Sequence, residues 1–203
     1  MALTIVTPPA SLAELMLDSI IDHLSASIET GESPTPAVPD QAYMLSLTEA
    51  AVALLDGPSG KLGRCLLTQS WKRTLDHCFP AIIELVLPPL QTVDSIKCCD
   101  DAGELQTLSP SAYRVTGVGS WLTEIAPAYG TSWPSTRYQA ATIEVTFTAG
   151  YGGTAEDVPA PILQAIRYLV AHWYENRAAV ERTAFAAVPY GVESMLAPYR
   201  VFR

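Results

Sequence analysis

The chain has 203 residues, of which 49% are hydrophobic and only 16% charged, and its formal net charge is −9. That length suits one domain with an ample core, and charge this sparse, below the quarter usual in soluble domains, fits a chain that buries surface against copies of itself. The acidic balance excludes ordinary nucleic-acid binding, which needs clustered Lys and Arg; no apolar run reaches the ~18 residues of a membrane span, and MALTIVTPPASLAEL lacks the basic region and long apolar stretch of a signal peptide.

Thr7-Pro8-Pro9 reads as extended chain. Ser11-Leu-Ala-Glu14 is a capping box, and Leu12, Leu15, Met16, Ser19, Ile20 and His23 follow at helical spacing, which predicts a helix over 12–25. Residues 29–39 hold three prolines and no apolar period, so they read as a loop or linker. Asp40 then caps a second helix over 41–56, with Met44, Leu47, Ala51 and Leu55 inward, and Asp56-Gly57-Pro58 stops it.

From Gly63 the pattern changes to strands. Cys65 to Trp71 leads into a run with Trp71, Leu75 and Phe79 that has no clear assignment. Strands are predicted at Ile82–Leu87, ended by Pro88-Pro89, and at Gln91–Cys98, followed by a hairpin turn at Asp100–Glu104. Shorter candidates are Leu105–Leu108, Tyr113–Val115 and Trp121–Ile125. The clearest is Ala141–Thr148, where Ile143, Val145 and Phe147 alternate with polar residues and give one buried and one wet face.

A last long helix is predicted over 161–181, with Pro161 tolerated in its first turn and Ile162, Ile166, Leu169, Val170 and Trp173 as the inward stripe. Arg177 falls on that same stripe. It either snorkels to water near the helix end or forms a salt bridge at a seam within or between subunits, because an unpaired buried charge is costly. A Val-Pro-Tyr-Gly turn, a short apolar helix and the tail Pro198-Tyr199-Arg200-Val201-Phe202-Arg203 follow. Residues 159–203 carry five Arg and three Glu, a net of +2, which leaves −11 on the first 158 residues. The basic, aromatic tail suits docking on an acidic partner.

No catalytic constellation stands out. Gly117-Val-Gly119 lacks the helix of a dinucleotide fingerprint, and Gly57-Pro-Ser-Gly60-Lys61 lacks the phosphate-loop frame. Cys65, Cys78, Cys98 and Cys99 match no zinc spacing and read as reduced, mostly buried thiols of a cytoplasmic protein. Asp100-Asp101 reads as a solvated turn tip and His172 as a packing residue. No catalytic residue, cofactor or metal is expected.

Several pieces, in order, resemble the head–tail connector (adaptor) proteins of long-tailed phages and phage-derived gene transfer agents. They are Val6-Thr-Pro-Pro9 with its capped helix, Leu67-Thr-Gln-Ser-Trp71, Pro88-Pro89, Val145-Thr-Phe-Thr-Ala-Gly-Tyr151, Val158-Pro159, Trp173-Tyr-Glu-Asn-Arg177, and Val188-Pro-Tyr-Gly-Val192 through Leu196-Ala-Pro-Tyr-Arg200. The basic residues such proteins often carry in the first helix are absent between Ser11 and Leu24, and the loop 29–39 looks long. The resemblance implies a structural protein of the virion head–tail junction, made in the bacterial cytoplasm. It implies a ring, usually twelvefold, that meets the portal protein and tail-side stopper proteins and lets DNA pass without specific binding. Twelve copies at −9 would carry −108 charges and repel duplex DNA in transit. Pro198–Arg203 would be the portal-docking segment.

The expected fold is α+β in a single domain over 1–203. It comprises N-terminal helices in 1–57, a β-rich region in 63–150, and a C-terminal helix with a docking tail in 158–203. Its helical bundle core has two N-terminal helices and the long C-terminal one, with a central antiparallel β-layer and an extended tail. The rival is a small ligand-binding or enzyme domain, with a pocket near Tyr113, Trp121, Tyr129 and Trp133.

Overall fold

The computed structural model describes residues 2–29, 41–175 and 190–201. Its class is α+β. In chain order the elements are β1 (Ala2–Thr7), α1 (Leu12–Glu29), α2 (Gln41–Leu55), β2 (Gln69–Leu75), β3 (Ile83–Leu85) and β4 (Leu90–Cys99). Then come β5 (Leu105–Thr107), β6 (Tyr113–Thr116), β7 (Thr123–Pro127), β8 (Ile143–Ala149), α3 (Ala160–Glu175) and α4 (Tyr190–Leu196). They group into two compact units. One is built from residues 1–10 and 64–151 and holds every described strand; the other is built from 11–63 and 152–203 and holds the four helices.

In the β unit the strands form two antiparallel sheets, one of five strands in the order β1-β2-β8-β4-β5 and one of three in the order β3-β7-β6. The alternation of β8 holds: Ile143, Val145, Phe147 and Ala149 are buried, and the residues between them form a polar face. On that face Lys72 meets Glu144 at 3.1 Å, and the Thr148 hydroxyl donates to Asp94 at 2.8 Å. The apolar faces of the two sheets share one core, with Ile83, Leu85 and Ile125 of the smaller sheet against Trp71, Ile96 and Phe147 of the larger. The single β-layer expected from the sequence is thus two layers, and the second sheet covers the apolar face of the first.

Two elements of this unit depart from the sequence reading. The strand around Trp71 is Gln69–Leu75, with Gln69, Trp71, Arg73 and Leu75 buried. Ahead of the extended Thr7-Pro8-Pro9 lies a full strand, β1, at the sheet edge.

In the helical unit α1 packs on α2 and α3, α2 on α3, and α3 on α4. Met16, Ile20 and Leu24 of α1 are buried, with Met44, Ala51 and Leu55 of α2 and Ile162, Ile166, Leu169 and Val170 of α3. Leu15 is exposed. Leu47 is half-buried, and Thr48 takes a core position instead because its hydroxyl donates to the Met44 carbonyl at 2.8 Å. The cap of α1 is present: the Glu14 N–H donates to Ser11 Oγ at 3.2 Å. Ser11→Ala is therefore expected to cost about 1 kcal/mol, read as a lower midpoint in urea denaturation; an unchanged midpoint would mean that the cap contributes nothing.

Candidate partner-binding surfaces

The C-terminal segment starts in the helical unit. Ala197–Tyr199 form a 3-10 turn, with Pro198 in its first positions, where its missing N–H costs nothing. The extended tail expected over Pro198–Arg203 therefore begins only at Arg200. The Val201 N–H donates to the Leu62 carbonyl at 3.0 Å, beside Gly63, whose φ of +65° completes the turn after α2. Arg200 meets Glu193 of α4 at 3.5 Å. Tyr199, Arg200 and Val201 are half-buried and Pro198 is exposed. Phe202, Arg203 and the stripe residue Arg177 lie outside the described residues.

Arg167 on α3 is half-buried. Its Nε donates to Ser19 Oγ of α1 at 2.9 Å and its Nη1 to Gln164 Oε1 at 3.1 Å, so it ties α3 to α1.

On the exposed side of α1, Glu14, Asp18 and Asp22 follow one another at four-residue spacing, where like charges repel. Residues 11–63 carry a net −7, most of the acidity of the chain.

The four residues expected to wall a pocket differ in exposure. Trp121 is 68% exposed and Tyr129 fully so, both in loops. Tyr113 is half-buried, and burial raises its pKa. Trp133 stacks on Phe79 at 4.6 Å. Gly117 and Gly119, both at positive φ, simply turn β6 into β7. At the β4–β5 hairpin tip Asp100 is engaged in the turn itself. Its Oδ1 accepts the Glu104 N–H at 2.9 Å, and its Oδ2 accepts from the Gln106 side chain at 3.1 Å. These bonds, the Glu104 N–H first, hold its carboxyl below the usual range. Cys65, Cys98 and Cys99 are buried and in no disulfide, Cys78 is exposed, and burial pushes the Cys98 thiol up. Among the described residues no three His, Cys, Asp or Glu cluster as metal ligands, and no helix is long and apolar enough to cross a membrane.

Three of the motifs that carry the family resemblance meet at one corner of the β unit. Leu67–Trp71 and Val145–Tyr151 are neighbours across the β2–β8 ladder, with Gln69 opposite Ala149 and Trp71 opposite Phe147. The cis Pro88-Pro89 joins them: the Pro88 carbonyl accepts the Cys65 N–H at 3.1 Å and the Pro89 carbonyl the Gly150 N–H at 2.9 Å. Gln91 Nε2 donates to both Thr68 Oγ1 and the Gly150 carbonyl, at 2.8 and 2.9 Å. The buried Arg64 donates from Nη1 to the Tyr151 hydroxyl and lies 5.8 Å from that ring centre. These residues build the fold, and the surfaces free for partners lie elsewhere.

No family model matches the chain, and no curated protein matches it. Solved structures do. A chain in the virion of a native gene transfer agent particle is 26% identical over 100% of this chain and 97% of its own, with a TM-score of 0.74. A chain in the neck of the empty particle, computed with sixfold symmetry, is 25% identical with a TM-score of 0.74, and one in the neck of the native particle, computed with twelvefold symmetry, is 25% identical with a TM-score of 0.72. Both have the same coverage. This chain therefore shares its fold from end to end with components of gene transfer agent particles, and that supports a structural place in a head–tail particle rather than a ligand-binding or enzyme domain.

Proposed function

We propose that the chain is a head–tail adaptor. Copies of it form a ring, twelvefold in the particle, between the portal protein and the tail-side stopper proteins, around a channel for DNA, and the chain performs no catalysis. One observation carries this reading: the full-length likeness to chains of gene transfer agent necks, in structures computed with cyclic symmetry. The sparse charge suits a chain packed in a ring, and the acidity of residues 11–63 gives such a ring a surface that repels duplex DNA. The tail Pro198–Arg203 docks on the portal, and Arg177 pairs with a carboxylate at a seam.

The test is electron microscopy of particles assembled with this chain carrying a small fused tag. The expected result is twelve tag densities in one ring at the junction of head and tail. Tag density at the distal end of the tail, or particles lacking the chain altogether, would overturn the reading.

A further inference from the structure

A ring with cyclic symmetry needs two different patches on each copy that fit one another, because a patch that pairs with itself closes at two copies. The five-stranded sheet offers two such patches at its edges. Natural sheets guard their edges with charge, Pro or bulges. Here the charges stand in the wrong place for that. The interior strand β2 carries Lys72 and Arg73, while the edge strands Ala-Leu-Thr-Ile-Val-Thr and Leu-Gln-Thr carry no charge and no proline. Among the described residues they are guarded by a register shift between Ile5 and Thr7 and by the shortness of β5. Both edges expose large apolar side chains, Ile5 at 42%, Val6 at 54% and Leu105 at 53%. Ile5 is opposite Trp71, on the core side of the sheet, so the core runs out to the surface at β1.

The backbone of β5 is available too. The Asp100 N–H bonds to the Glu104 carbonyl at 2.9 Å and the Leu108 N–H to the Ile96 carbonyl at 2.8 Å. Bonded pairs alternate along an antiparallel ladder, so Gln106 faces Cys98 with its backbone groups, while Leu105 and Thr107 turn theirs away from β4. Four antiparallel steps separate β1 from β5, so the two edges run in the same direction. A second copy related by rotation therefore sets its β1 beside β5 as a parallel pair, and the step repeats. Two β1 edges related by a twofold axis would pair antiparallel and stop.

From this we infer that the seam of the ring is a β1-to-β5 strand pairing between neighbouring copies of this chain. Main-chain hydrogen bonds would supply the register, with Ile5 on the core side of the joined sheet and Leu105 on its other face. The inference rests on the adaptor reading and adds the residues that join the subunits.

Thr4 and Thr107 lie on the same, polar face of the sheet, opposite Lys72 and Lys97 respectively. The test uses particles assembled with the Thr4→Cys, Thr107→Cys chain in a Cys78→Ser background, which removes the exposed thiol. The particles are treated with a short bismaleimide whose reach tolerates a slip of one residue pair. The expected result is a ladder of covalent multimers on a denaturing gel, with neither single-cysteine chain linking to itself. A dimer from Thr4→Cys alone would mean a twofold β1 pair, and a link to a different protein would mean that the edge serves a tail-side partner; either overturns the seam. Chain present in the neck ring with no ladder places the seam elsewhere and leaves the adaptor reading standing. Chain absent from the neck of untreated particles removes both. As a second arm, Thr107→Pro deletes one outward N–H and leaves the β4–β5 bonds intact. Its circular dichroism is expected to match the parent while it fails to enter rings; rings formed at the parent level would sink the proposal.

Discussion

Gly150→Ala is expected to destabilise the β unit by on the order of 3 kcal/mol or more, enough to consume much of the 5–15 kcal/mol that holds a typical domain folded. Gly150 has φ +130°, a conformation that side-chain-bearing residues rarely adopt. A Cβ there would stand 2.3 Å from the Leu67 carbonyl oxygen and 2.6 Å from the Thr68 nitrogen. Both are backbone atoms of the segment entering β2, so no side chain can swing aside. Nor can Gly150 itself move, since its N–H is bonded to Pro89 and its carbonyl to Gln91. Gly153 is the control, because a Cβ there meets nothing within 4 Å. Denaturant titration of the two variants decides the matter. Equal midpoints for Gly150→Ala and Gly153→Ala would show that the corner yields.

At this corner the segments around Gln69-Ser70-Trp71, Pro88-Pro89 and Gly150, far apart in the chain, are joined by backbone and side-chain hydrogen bonds, which no single motif shows in the sequence. The strand β8 was legible because half-burial prints a period of two on the sequence. Strand β2 was not, because Trp71, Leu75 and Phe79 are four apart, and a spacing of four keeps side chains on one face of a helix and of a strand alike. Only the burial of Gln69 and Arg73 between them settles the period, and polar residues in a core leave no hydrophobic trace. Strand β1 was hidden for the opposite reason: an edge strand exposed on most of its length has no alternation to show. The exposure of Leu15 was not legible, because an exposed leucine at helical spacing looks the same in a sequence as a buried one. Surfaces for partners leave even less signal. Leu105 and Val6 become notable only once the sheet order makes them edges.

Deleting residues 198–203 is expected to abolish portal binding while costing only about 1–2 kcal/mol of stability. Among the described residues, backbone hydrogen bonds join Val201 to Leu62 at 3.0 Å and Arg200 to Ala197 at 3.3 Å, and an ion pair, Arg200 to Glu193 at 3.5 Å, lies partly in solvent. A bond of the first kind contributes about 1 kcal/mol and an exposed pair from nothing to about 1 kcal/mol. Tyr199 is only half-buried, so its loss falls short of the 3–5 kcal/mol typical of a core aromatic cut to alanine. Against this, Tyr, Phe and Arg are the residue types that dominate interfaces, and Tyr199, Arg200, Phe202 and Arg203 gather them in one short stretch. An anchor at Val201 is compatible with docking, since the bond there is made by its backbone N–H. Two measurements on the truncated chain separate docking from folding: thermal denaturation, and pull-down by the portal. A midpoint a few degrees lower with binding lost supports docking. Binding at full affinity refutes it, and so does outright unfolding, which would make the segment part of the core.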